Sequence, residues 1–202
     1  MIQQEFKNKP AILIATGPSL TEEVVETVRK YEKDYVIFGC NNAYEVVDFL
    51  DIHYACDKKW WDVHNRPLKK EFPNLRTYTQ DEAAAKVYNL SHVAGQYKAG
   101  LSTDSSKIHF GSNSGYQLLN LAFLFGCNKF ILVGYNMQKV SGKAHFFGDH
   151  PPDLKSNSPY TKFVQAFNNI QAELKPLIVN CTPDSALTMF RFNQLEDELQ
   201  CE

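Results

Sequence analysis

Ala11-Ile-Leu-Ile-Ala-Thr-Gly-Pro-Ser-Leu20 begins as a short apolar run and breaks abruptly at Thr16-Gly17-Pro18-Ser19. Such a run reads as a buried first strand ending in a tight turn. The turn feeds a helix through the capping-box pattern Ser19-x-x-Glu22, and Val24, Val25, Val28 and Tyr31 then fall on one helical face. Strand, glycine turn and helix start together bring unpaired backbone N–H groups and the positive end of a helix dipole to one point. That point suits a phosphate or another anion.

Outward from this unit the pattern repeats. Strand-like runs at Ala11–Ala15, Tyr35–Phe38, Ile52–Ala55, Leu75–Thr79, Lys129–Val133 and Leu177–Asn180 alternate with helical patterns. The helices are expected at Thr21–Glu32, about Lys58–Lys70, Asp81–Val87, Gly115–Phe125 and Tyr160–Leu174. Alternation of this kind predicts an α/β fold, a mainly parallel sheet flanked by helices. Helix 116–125 is apolar on almost every side, which predicts burial among neighbours or at an oligomer interface. Ala94–Asn113 and Tyr135–Pro159 lack regular periodicity, and the second reads as a lid-like binding loop near 135–159. The acidic tail Asn193–Glu202 predicts a short terminal helix. No repeat or linker divides the chain, so residues 1–202 are expected to form a single domain.

Composition narrows the class. With 202 residues, 44% hydrophobic and 22% charged, the chain has the make-up of one globular core. A net charge of −2 argues against broad neutralisation of a nucleic-acid backbone. No apolar run is long enough to span a membrane and the first residues lack signal-peptide character, which predicts a cytoplasmic protein. The five cysteines, at 40, 56, 127, 181 and 201, form no CxxC or CxxH pair and read as free, mostly buried thiols rather than a zinc site.

In an open parallel sheet, ligands bind beyond the C-terminal ends of the strands. The residues that follow the predicted strands are Thr16, Gly17, Pro18 and Ser19; Gly39, Cys40, Asn41 and Asn42; Cys56, Asp57, Lys58, Trp60 and Trp61; Gly134, Tyr135 and Asn136; and Asn180, Thr182, Pro183, Asp184 and Ser185. Small and amide-bearing side chains dominate, and amides both donate to and accept from a nucleobase or ribose edge. Turn formation alone would also place Asn and Gly at such positions. Gly111-Ser112-Asn113-Ser114-Gly115 precedes the buried helix and offers hydroxyls, an amide and close backbone approach where one N-cap would suffice. Lys143-Ala-His145-Phe-Phe-Gly-Asp149-His150-Pro151 places two histidines and a carboxylate in one loop, a source of acid–base groups. There is no P-loop, dinucleotide-binding fingerprint or nucleophile elbow.

Taken in order, Ile14-Ala-Thr-Gly-Pro-Ser-Leu20, Gly39-Cys-Asn41, Ser112-Asn-Ser-Gly115, Ile131-Leu-Val-Gly-Tyr135 and Cys181-Thr-Pro-Asp-Ser-Ala-Leu-Thr-Met-Phe190 resemble bacterial lipooligosaccharide sialyltransferases. They also resemble the related DUF115 group, which includes motility accessory glycosylation proteins and archaeal-type 6-hydroxymethyl-dihydropterin diphosphokinase, and a phage or prophage branch that carries the His145–Pro151 stretch. The resemblance covers residues 11–190. It implies a Rossmann-like nucleotide-binding domain and, from the sialyltransferases, metal-free transfer from a CMP-sugar donor. By position in the resemblance, Gly17, Pro18, Ser19 and Asn41 would contact the nucleotide, and Ser114 and Gly115 would lie near the donor's phosphate or sugar with Tyr135 close by; the strand ends and the helix start add Thr16, Asn42, Asp57, Ser112, Asn113 and Ser185 as expected nucleotide contacts. Two departures stand out. Thr16 occupies the place of an asparagine, and Ser156-Asn-Ser-Pro159 stands where those enzymes carry a catalytic histidine.

Three functions follow as expectations. The first is a nucleotide-sugar-dependent glycosyltransferase, in which His150 or His145 is the base and Asp149 or Asp57 orients it. The second is a Mg-dependent pyrophosphoryl transferase acting on a pterin-like substrate through Asp57, Asp104 and Asp149. The third is a nucleotide-binding protein without catalysis. No cofactor is implied with certainty. The expected partners are a nucleotide or nucleotide-sugar and a second copy of the chain.

Overall fold

A computed structural model describes residues 1–148, 154 and 158–200 of the chain. Its strands are β1 (Pro10–Ile14), β2 (Val36–Cys40), β3 (Ile52–Tyr54), β4 (Arg76–Thr79), β5 (Ser91–His92), β6 (Ala94–Gln96), β7 (Lys107–His109), β8 (Lys129–Val133), β9 (Ile178–Asn180) and β10 (Arg191–Phe192). The helices are α1 (Glu22–Arg29), α2 (Lys58–Glu71), α3 (Glu82–Tyr88), α4 (Ser114–Leu124), α5 (Tyr160–Asn168) and α6 (Leu195–Gln200). Eight strands form one sheet in the order β10-β9-β8-β1-β2-β3-β4-β5, with every adjacent pair parallel. The chain steps outward from β1 to β5, then returns to the other flank of β1 at β8. The sheet therefore has a topological switch point between β1 and β8, as expected of a Rossmann-like α/β fold.

The unbroken apolar runs have a direct cause: both faces of the central strands are covered. Ala11 and Leu13 of β1 face a core shared with Phe38, Leu132 and the helix residues Leu118, Leu121 and Phe167. Ile12 and Ile14, pointing the other way, pack with Ile37, Ile131, Val133, Val25, Val28 and Leu199. A third cluster, built on Trp61, Leu68, Ala84 and Leu90, holds α2 and α3 together. Every residue of α4 except Phe123 is buried within the one chain, which accounts for its all-round apolar character.

Several local expectations are corrected. Thr21, not Ser19, caps α1, its hydroxyl accepting from the Val24 amide at 3.3 Å. Ser19 instead donates its hydroxyl to Asn136 Oδ1 at 2.7 Å. α5 ends at Asn168, six residues before Leu174, where Ile170 bonds back to Phe167 and the helical ladder stops. The 94–113 segment is ordered by buried amides: Asn120 Oδ1 accepts from Ser102 and His109, both at 2.9 Å, and Gln171 makes paired 2.8 Å bonds with the Leu101 backbone. β6 and β7 pair within it as a small parallel ribbon.

The terminal helix is held by a buried charge. Glu198 is 3% exposed and accepts from Asn193 (2.8 Å), Arg191 (2.9 Å) and Lys129 (3.2 Å). Burial alone would push this carboxyl up, but the bonds from Asn193, Lys129 and Arg191 hold it below its ordinary 4.5. The stability it contributes is thus complete above pH 4.5 and is lost as pH falls through the lowered value. Glu198→Gln should cost about 2 kcal/mol in urea unfolding at neutral pH. The variant should also lose less than the parent on acidification; equal stability at neutral pH would mean the cluster contributes nothing net.

Candidate functional site

A cavity of about 620 Å³ opens at the C-terminal edge of the sheet, over the β1–β8 switch point. Ala15, Thr16 and Gly17 border it from β1, Cys40 and Asn41 from β2, Cys56 and Asp57 from β3, and Gly134 and Asn136 from β8. The start of α4 completes that side with Ser112, Asn113, Ser114 and Gly115. Ligand pockets of α/β sheets occur at this position.

Two helices begin on this rim, α2 and α4. In α4, Asn113 Oδ1 accepts from the Tyr116 amide at 2.8 Å, so its side chain is the N-cap. The amides of Ser114 and Gly115, one step earlier, have no backbone acceptor among the described residues. The Asp57 side chain makes no cap bond at the start of α2, although Trp60 and Trp61 bond to its carbonyl. Lys58 and Lys59 also line the cavity; Lys58 is paired with Asp62 at 2.6 Å, whereas Lys59 has no ion-pair partner among the described residues. The rim thus carries two helix N-termini, whose dipoles favour an anion, alongside Lys58 and Lys59 and the carboxylates Asp57 and Asp81.

Three non-glycine residues on this cavity take left-handed backbone conformations: Asn41 (φ 49°), Ser112 (φ 62°) and Met137 (φ 49°). Such residues persist only where the surroundings hold them. For Asn41 the holding group is visible. Its carbonyl lies 2.8 Å from Nε2 of His53, which is fully buried and stacked on Trp60. The carbonyl can only accept, so Nε2 carries the proton and Nδ1 is bare, buried and unpartnered.

His145 is the described member of the predicted acid–base group. It lines the cavity, with Nδ1 3.2 Å from Thr16 Oγ1 and its ring stacked on Phe147. The Phe146 amide bonds to the Thr16 carbonyl at 3.0 Å, fastening this loop to the β1 turn. His150 and Asp149 lie outside the described residues.

Other expected contacts are placed elsewhere. Tyr135 is fully buried, with its hydroxyl donating to the Gly115 carbonyl at 3.0 Å; it supports α4 from below and does not border the cavity. Asn42 is turned toward α2, accepting from Trp60 Nε1 (2.9 Å) and donating to Glu45 (2.8 Å). Ser185 donates to the Tyr135 carbonyl (2.6 Å), and Ser19 is engaged by Asn136. Pro18 forms the turn behind Gly17 and is not on the rim. Asp104 sits before β7, at the end of that strand away from Ser112, and binds its own turn through Ser106. Asp81, Met137, Gln138, Tyr160 and Phe163 line the cavity without having been singled out. The strand-end rule reaches Asp81 after β4 and Met137–Gln138 after β8; nothing local marks the α5 residues.

The thiols on the rim are not nucleophiles. Burial raises Cys40 to about 12, and burial with the Asp57 charge raises Cys56 still further, so both stay protonated near neutrality. Among the described residues no three His, Cys, Asp or Glu side chains are grouped to hold a metal ion, and no helix is long and apolar enough to cross a membrane.

No protein-family model matches the chain, and no curated protein matches it. Among solved structures it is similar to the MAf glycosyltransferase from Magnetospirillum magneticum AMB-1, with a TM-score of 0.63 over 97% of this chain. The likeness is one of fold. Sequence identity is 12%, and the chain spans 35% of that protein's length.

Burial lowers His53 from its ordinary 6.5 to about 4, because the protein interior opposes the charged ring. Between those values the unfolded chain binds a proton that the folded chain refuses, so stability falls as pH falls, by roughly 3 kcal/mol across the window. His53→Gln should flatten that part of the pH profile in thermal unfolding. An identical profile in parent and variant would refute the shift. Gly17→Ala would drive its Cβ into Asn136 Oδ1 and the Gly134 carbonyl oxygen. It should cost about 2 kcal/mol in urea unfolding, and a neutral effect would show that the turn can open.

Proposed function

We propose that the chain is a nucleotide-sugar-dependent glycosyltransferase. The observation that carries the reading is the convergence of the ends of β1, β2, β3, β4 and β8 with the α4 N-terminus on one cavity at the switch point. A similar fold in a protein named as a glycosyltransferase supports it. So does the sequence resemblance to sialyltransferases and motility accessory proteins, which favours a CMP-linked donor.

In this reading the phosphate lies against the unbonded amides of Ser114 and Gly115. Those N–H dipoles take up the charge that grows on the leaving nucleotide as the glycosidic bond breaks. Lys59 adds a charge on the same rim. His145, whose Nδ1 lies 3.2 Å from Thr16 Oγ1, is the described base for an acceptor hydroxyl in this reading. His150, flanked by Asp149, is the second histidine of that loop and retains the base role expected of it from the sequence.

A pyrophosphoryl transferase is the second reading, because Asp57 and Asp81 border the same cavity. Its fit is poorer. Asp81 already accepts from the Ala84 amide at 2.9 Å, and Asp104 belongs to a distant turn.

Thermal unfolding with CMP, UDP, GDP and ATP, each with and without magnesium, separates the readings. A nucleotide mono- or diphosphate at about 100 times its dissociation constant should raise the midpoint by about 5 °C or more without magnesium. Stabilisation only by a triphosphate with magnesium would favour pyrophosphoryl transfer. No stabilisation by any of the four would overturn nucleotide binding.

A further inference from the structure

Four side-chain amides border the cavity: Asn41, Asn113, Asn136 and Gln138. Three of them hydrogen-bond within the chain, Asn113 to the Tyr116 amide, Asn136 to the Pro183 carbonyl and Gln138 to the Asp184 carbonyl. The Asn41 amide makes no hydrogen bond with a described residue, and neither of its polar atoms is buried. Its backbone, by contrast, is held. Asn41 is left-handed at φ 49°, and its carbonyl accepts from His53 Nε2 at 2.8 Å.

His53 lies behind the rim. It is fully buried and does not border the cavity. On β3 it stands in register with Gly39 of β2, and its ring reaches past Cys40 to Asn41. Three rings fix it: Trp60 stacks on it at 5.2 Å, and Trp61 and Tyr44 meet it edge-on at 5.7 and 5.9 Å. A phenylalanine would fill such an aromatic box without leaving a bare, buried Nδ1. What the imidazole adds is a single donor, and that donor is directed at the left-handed residue of the rim.

We propose that His53 is a positioning residue of the cavity, which holds Asn41 in its left-handed turn and so keeps the unbonded Asn41 amide ready for the nucleoside part of the ligand. The inference rests on the nucleotide reading and deepens it, because it names the recognising amide and the buried group that presets it. An amide offers a donor and an acceptor side by side, which matches the edge of a base or a ribose. A phosphate presents acceptors only and is served by the Ser114 and Gly115 amides. With Asn41 ordered during folding, the ligand does not have to order it on binding.

Calorimetry with CMP, UDP, GDP and ATP on the parent selects the nucleotide that binds most tightly, and the variants are compared with that probe. Asn41→Ala should weaken binding about tenfold. His53→Asn, too short to bring an N–H to the place of Nε2, should lose about five- to tenfold. His53→Gln, whose amide nitrogen reaches that place, should bind within about twofold of the parent. Both variants lose the imidazole stack, so a merely structural role would move them together. Adding His53→Asn to Asn41→Ala should weaken binding by less than about twofold more, because the two residues act through one contact. Thermal unfolding checks that each variant is folded. If His53→Asn is not, His53→Phe, which keeps aromatic packing without the donor, replaces it with the same expected loss.

Equal losses in the Asn and Gln variants, or additive losses in the double variant, would overturn the positioning role. A parent that binds nucleotide, with Asn41→Ala unchanged, overturns this inference and leaves nucleotide binding standing. A parent that binds none of the four overturns the nucleotide reading and this inference together.

Discussion

The geometry of the crevice depends on how closely the backbones of β1 and β8 approach where the two strands end. The Gly17 amide donates to the Gly134 carbonyl at 2.8 Å, and Gly134 is in the left-handed region at φ 74°. Neither residue has room for a Cβ: one on Gly17 meets the Gly134 carbonyl, and one on Gly134 meets the Ala15 carbonyl. The amide of Asn136 then fills the space a side chain would have taken. Its oxygen accepts from the Ser19 amide and hydroxyl, and its nitrogen donates to the Pro183 carbonyl at 2.9 Å. The turns after β1, β8 and β9 are knit into one floor by main chain and a single amide. A floor of that kind has fixed dipoles and little to reorganise when a charged ligand arrives.

Much of this architecture is legible in the sequence because burial on both faces writes itself as unbroken apolar runs. Ala11–Ile14 and Phe130–Val133 read as strands for that reason, and the six longer expectations all coincide with observed strands. The strands that escaped notice, β5, β6, β7 and β10, are two or three residues long. β3 and β9 are as short as β6 and β7 but are wholly buried, whereas β5, β6 and β10 are largely exposed and so lack an apolar run to read. The ribbon of β6 and β7 is held chiefly from outside itself, by Asn120 and Gln171, whose bonds to Leu101, Ser102 and His109 span 11 to 70 residues of sequence.

The rim residues were legible to the extent that they sit on main chain. Thr16, Gly17, Asn41 and Ser112–Gly115 follow from where strands end and helices begin, and the structure brings them to one cavity. Side-chain direction was not legible. Tyr135 and Asn42 occupy the expected chain positions, but one side chain drops beneath α4 and the other turns to Trp60. In both cases the polar atom finds a nearer partner than any ligand, and a buried group takes the first good bond available. The α5 residues on the cavity, Tyr160 and Phe163, were invisible for a different reason: their distance from the β1 turn along the chain leaves no local signature.

The chemical character of the rim constrains what catalysis it can support. Two thiols are present, yet burial keeps both protonated, and a protonated thiol is a poor nucleophile. Among the described residues the carboxylates on the rim are Asp57 and Asp81, one beside a thiol and the other already capping α3. What the rim does offer is oriented N–H groups, a lysine, and a histidine whose ring is fixed by Thr16 and Phe147. On the proposed function, such a set would lower the energy of charge that develops on a departing group, with one proton accepted from the incoming nucleophile. On that reading, direct displacement at a carbon bearing a phosphate leaving group would call on those two services, and that is why the proposal takes the form of transfer from an activated sugar and not of chemistry through an enzyme-bound intermediate.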